Sequence, residues 1–135
     1  MKKQKAKVGS FYEETWGQNV YLLSPATAED LASFAKVEFG AEYKGSEGFI
    51  GRCLHIPSSN GGQIVIGLRQ WDNGPVMLGT LTHECFHAVE YILSVRGMRH
   101  CNATSEAYAY LLGSLVRNCL RTLNSRKAMR TITKR

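Results

Sequence analysis

Apolar positions along the 135-residue chain alternate at first with a period of two and later recur every three or four residues. Phe11, Tyr12 and Val20 to Leu23 are strand formers on either side of the turn-like Gly17-Gln18-Asn19, which predicts a hairpin over residues 8–23. Ser24-Pro25 reads as the cap and first position of a helix carrying Leu31, Phe34, Ala35 and Phe39, with Gly40 as its stop and one face of a sheet as its seat. Phe49 to Ile56 is a second extended run, closed by the turn cluster Pro57-Ser58-Ser59-Asn60-Gly61-Gly62. In Gln63 to Leu68, the clearest strand, Ile64, Ile66 and Leu68 share a face, and Gly67 predicts a bulge or a close neighbour.

The longest helical period runs from Pro75 to Arg96, with Gly97 as the residue that ends it. That span is about 33 Å, long enough to cross a small domain. Leu78, Leu81, Cys85, Val89, Ile92 and Val95 form its apolar face, and Thr80, His83, His87, Glu90 and Ser94 the polar face beside it. A further amphipathic helix begins near Ser105, with Tyr108, Leu111, Leu112, Leu115, Cys119 and Leu123 as its stripe.

Composition bounds this picture without redirecting it. A hydrophobic fraction of 44% and a charged fraction of 21% are ordinary for one globular domain. No run reaches the length of a membrane span, and no apolar stretch follows the basic start, so the expectation is a cytoplasmic protein without membrane contact. None of Cys53, Cys85, Cys101 and Cys119 forms a C-x-x-C pair, so all four read as small buried hydrophobes. The net charge of +6 is uneven. Residues 1–7 carry four lysines and residues 107–135 carry seven Lys or Arg, neither with an acid, while the stretch between has six basic against eleven acidic residues. This divides the chain into a basic arm (1–7), a single domain (8–123) and a basic tail (124–135). Such ends either keep the chain soluble or attract nucleic acid or another acidic partner through phosphate-type contacts, and without aromatics among their cations they do not suggest single-strand stacking.

The chemistry concentrates in His83-Glu84-Cys85-Phe86-His87. Two histidines four apart on a helix share a face and can offer two nitrogens to one ion at the usual Zn–N distance of about 2.0–2.1 Å. Glu84, one position on, points beside that face and can serve as a general base without ligating. Glu90, seven after His83, can orient a ligand histidine. Catalytic zinc sites use three protein ligands. Glu106, in the first turn of the last helix, and His100, in the preceding loop, compete for the third place, with Glu106 favoured because a regular element holds a ligand more rigidly.

His83-Glu84-x-x-His87 followed by Glu106-Ala107-x-Ala109-Tyr110-Leu111 resembles the gluzincin branch of zinc metallopeptidases, and more narrowly small metallopeptidases encoded by bacteriophages. The resemblance covers about residues 75–116. It implies an α+β, minimal zincin-like fold in which a small antiparallel or mixed sheet packs on the helix of His83 and His87 with the ligand-bearing helix behind it, a Zn²⁺ ion on His83, His87 and Glu106, Glu84 as general base, and peptide or protein substrates in the host cytoplasm or virion. It also implies a sheet edge antiparallel to bound peptide, for which residues 64–68 are the candidate. Gluzincins often carry Asp four residues after the ligand Glu; Tyr110 stands there instead, so Tyr110, or else Tyr108, is a candidate for steadying the oxyanion. A zincin fold kept for binding or assembly without catalysis, and a nucleic-acid-associated protease of the SprT-like type with His100 as third ligand, are the alternatives.

Overall fold

The computed structural model describes residues 4–45, 47–58 and 62–132. Five strands and three helices follow in the order β1 (Lys7–Glu13), β2 (Gln18–Ser24), α1 (Ala28–Phe39), β3 (Gly51–Ile56), β4 (Gln63–Leu68), α2 (Pro75–Ser94), α3 (Ser105–Leu123) and β5 (Arg130–Thr131). The fold is mixed α+β, the class the resemblance implies. The sheet order is β3-β4-β2-β1-β5, antiparallel throughout except for the parallel pair β2–β4.

Strand alternation divides the apolar residues into two cores. Val20, Leu22, Ile64, Ile66 and Leu68 pack under α2 and α3 with Leu81, Cys85, Val89, Ile92, Leu111 and Leu115. Leu23, Leu54, Ile56 and Val65 face the other way, under Leu31, Phe34 and Ala35 of α1. Gly67 lies beneath that helix: a Cβ built there would stand 2.8 Å from a methyl of Leu31, so the close neighbour is a side chain of α1.

Three expectations change. The first helix starts not at Ser24-Pro25 but at Thr27, which closes a capping box. Its hydroxyl accepts from the Asp30 N–H at 3.1 Å, and the Asp30 carboxylate accepts from the Thr27 N–H at 3.0 Å. Ser24 instead ends β2, and Ser24–Pro25 is a cis peptide. Gly40 does stop the helix, at φ 64°. Residues 64–68 are not a sheet edge, because β4 pairs with β3 on one side and β2 on the other, which leaves β3 outermost. Parts of both basic ends belong to the sheet: Lys7 opposes Thr131, Val8 opposes Arg130, and the Ile132 N–H donates to Ala6 O at 3.1 Å. Of the expected turn at 57–62, residues 59–61 lie outside the described residues, as do 1–3 of the arm and 133–135 of the tail. No helix among the described residues is long and apolar enough to cross a membrane.

Gly67→Ala should lower stability by about 1–3 kcal/mol, the usual cost of overpacking. Urea unfolding checks it, and an unchanged midpoint would mean that Leu31 moves aside freely.

Candidate metal centre

Helix α2 opens on Gly74 as cap with Pro75 in its first turn, and its last turn closes through Gly97 at φ 78°, with the Met98 N–H on Leu93 O at 3.0 Å. Leu81, Cys85, Ala88, Val89 and Ile92 bury against the sheet and α3, and this rotation sets every other residue of the helix. Val95, expected on the apolar face, is exposed, at the cap that follows Ser94, the last residue of the helix.

On the outward side, His87 Nε2 lies 3.1 Å from His83 Nε2, the rings tilted by 76°. A tetrahedral ion with Zn–N bonds of about 2.0–2.1 Å holds two nitrogens about 3.3 Å apart, so the pair is spaced to share one dication. His87 Nδ1 faces a Glu90 oxygen at 3.6 Å. That places the Glu90 carboxylate on the side of the ring away from the paired nitrogens, where a group that orients a ligand histidine would stand.

Glu84 turns inward beside this pair and is only 7% exposed. It packs on the outermost strand. A Cβ at Gly51 would stand 3.0 Å from Glu84 Cγ and 2.6 Å from a Thr80 methyl, so β3 can lie this close to α2 only with glycine at that position. Burial pushes the Glu84 carboxyl above its ordinary range. The charges of His83, His87 and Arg52 and a backbone hydrogen bond from Cys53 pull it part of the way back. A buried carboxylate with a raised pKa next to two potential ligands is what a general base needs.

A cleft of about 820 Å³ opens over these groups, walled by Arg52 and Cys53 of β3, by His83, Glu84 and His87, and by His100 and Tyr108. The His100 ring stacks on Tyr108 at 4.5 Å and lies 6.4 Å from Phe86. Tyr108 gives its hydroxyl to Met98 O at 3.1 Å, which engages the proton an oxyanion would need.

The remaining candidates are not brought to this cleft. Tyr108, Leu111, Leu115 and Cys119 are the buried stripe of α3. Glu106 and Tyr110 are each two residues from Tyr108, more than half a helical turn away, and both are exposed, Tyr110 by 77%. Among the described residues no three His, Cys, Asp or Glu side chains gather closely enough to hold an ion. The two histidines therefore fit a metal as a pair, without Glu106 beside them. The α3 stripe was already visible in the sequence, and it carried this orientation.

Arg52 and Cys53 flank Glu84 without any sequence signal beyond an extended run whose odd positions, 51, 53 and 55, share a face. His55 on that face stacks on Tyr91 of α2, ring centres 3.4 Å apart. Burial, followed by the charge of Glu84, pushes the Cys53 thiol well up, which makes it a poor nucleophile. Cys85 and Cys119 are buried thiols 3.8 Å apart between α2 and α3, as small core residues should be. Cys101 departs from that expectation: it is exposed, and hydrogen bonds, first from Thr104, lower its pKa.

Because the folded pKa of Glu84 lies above its unfolded value, the metal-free protein carries no penalty below the ordinary glutamate pKa of about 4.3, and the full penalty above the folded pKa. Glu84→Gln should therefore raise the melting temperature of chelator-treated protein at about pH 8 and leave it nearly unchanged at about pH 3.5. Equal shifts at both pH values would show that the carboxylate is not strained by its surroundings.

Compared with known protein families, curated proteins and solved structures, the chain matches none, so what the site can do is read from these side chains alone.

Proposed function

We propose that the chain is a zinc-dependent metallopeptidase whose centre is built on His83, Glu84 and His87. The observation that carries this reading is the pair of imidazole nitrogens at 3.1 Å beside a buried, proton-seeking carboxylate. Zinc held there would acidify water and polarise a peptide carbonyl. Glu84 takes the proton of the attacking water and keeps it for the leaving amine. Arg52, on the same wall, adds to the pull of the two histidines against the rise of the Glu84 carboxyl.

An extended peptide has a natural seat along β3, because an outermost strand offers backbone groups for a further strand. A second cleft of about 530 Å³, lined by Phe49, Ile50, Val76 and Thr80, runs up to His83 and Glu84. Its exposed Ile50 and Val76 suit an apolar substrate side chain next to the scissile bond.

For the third ligand, the gluzincin resemblance assigns Glu106. The place of His100 on the cleft wall supports a second reading, with three histidines.

Glu84→Gln should retain about one zinc per chain and lose turnover of a casein or peptide substrate by a factor of at least about 100, the lower range for general acid–base catalysis. Wild-type turnover in that variant would end the mechanism. In metal analysis after dialysis, His100→Ala should lose more zinc than Glu106→Ala, because His100 stands on the cleft wall, and the reverse order would return the third ligand to the first turn of α3. Full zinc retention in His83→Ala/His87→Ala would remove the centre altogether.

A further inference from the structure

The two basic ends, separate in sequence, meet in the fold. The β1–β5 pairing sets Lys7 opposite Thr131 and brings residues 4–7 alongside residues 124–131. Between them lies a cleft of about 800 Å³ that shares no residue with the histidine cleft. Its cations are Lys5, Lys7 and Arg126, and no carboxylate lines it. All three are exposed, and among the described residues none makes an ion pair. Asp72, the nearest acid in sequence to this wall, has its carboxylate turned back onto the Gly74 N–H at 2.8 Å.

The same cleft holds an aromatic wall, Trp71. Its indole N–H donates to Asn124 Oδ1 at 2.9 Å, and Asn124 also exchanges hydrogen bonds of 2.9 and 3.0 Å with Asn73. These bonds tie the loop before α2 to the end of α3, so the ring is held by its edge and its position is fixed before any ligand arrives. Ser24, Gln70 and Ser125 add neutral hydrogen-bonding groups. Three unpaired cations beside a fixed indole are the two parts a single-strand site requires: phosphates on the cations and a base on the ring. An acidic peptide would use the cations and have no use for the indole.

We infer that the cleft formed by Lys5, Lys7, Arg126 and Trp71 binds single-stranded nucleic acid. It lies at the opposite end of the α2–α3 pair from the histidine cleft, and the inference does not depend on the metallopeptidase reading. The test is fluorescence anisotropy of a labelled oligothymidylate of about twelve nucleotides, within the usual site size, on the full chain. Three phosphate contacts predict a slope of log affinity on log salt of about −2, which is about a hundredfold loss per tenfold rise in salt. Lys5→Gln/Lys7→Gln/Arg126→Gln should flatten that slope while keeping the wild-type melting temperature. Trp71→Leu should weaken binding by about five- to a hundredfold, with Trp71→Phe recovering most of the loss. Neutralising Lys2, Lys3, Lys134 and Arg135 should cost less than the triple substitution in the cleft. The proposal is overturned if the triple variant binds like wild type, if the four outer substitutions abolish binding that the triple variant retains, or if a duplex or polyglutamate competes as well as the single strand.

Discussion

The contact between α2 and the outermost strand at Gly51 governs this molecule. Glu84 and Thr80 lie where a β-carbon at position 51 would have to be. With that atom absent, the helix settles onto the strand, the carboxylate loses its water, and His83 and His87 on the flank of the helix are left facing out. Burial of Glu84 and exposure of His83 and His87 are therefore one structural event. A helix rotated to bury either histidine would leave Leu81, Cys85 and Ile92 without the sheet.

The rest of the architecture supports that contact. α1 covers the far face of the sheet, with Leu31 set over Gly67, so the strand neighbouring β3 is clamped from behind while α2 presses from the front. Glycine thus serves twice on adjacent strands, once on each face. In both places a missing side chain lets a helix approach closely. Arg52 and Cys53 reach Glu84 only because β3 is held at this depth.

Much of this was readable in the sequence where the signal is local. The span of α2 from Pro75, the stop at Gly40, the hairpin and the alternation of Ile64, Ile66 and Leu68 all follow from periods and caps that a few neighbouring residues define. The order of the strands did not follow, since β2 pairs with β4 across two intervening elements and only that pairing leaves β3 outermost. The start of α1 was misplaced because Ser24-Pro25 and Thr27-x-x-Asp30 are both acceptable openings, and the reciprocal hydrogen bonds of the second prevail. The outward turn of Glu106 and Tyr110 is different. The stripe of Tyr108, Leu111 and Leu115 already implied it, and the pull of a three-ligand pattern obscured it.

The parallel pairing of β2 with β4 also shapes how the chain can assemble. Hairpin β1–β2 closes over a few residues, whereas joining Val20 to Ile64 must first gather the intervening chain, at an entropic cost that local contacts do not repay. The pair β3–β4 is local, since only six residues separate its strands, so the β2–β4 ladder is the long-range step that joins two local halves of the sheet. A chain cut short before Leu68 lacks the strand that joins β3 to the hairpin, and with it the floor on which the acid–base machinery rests.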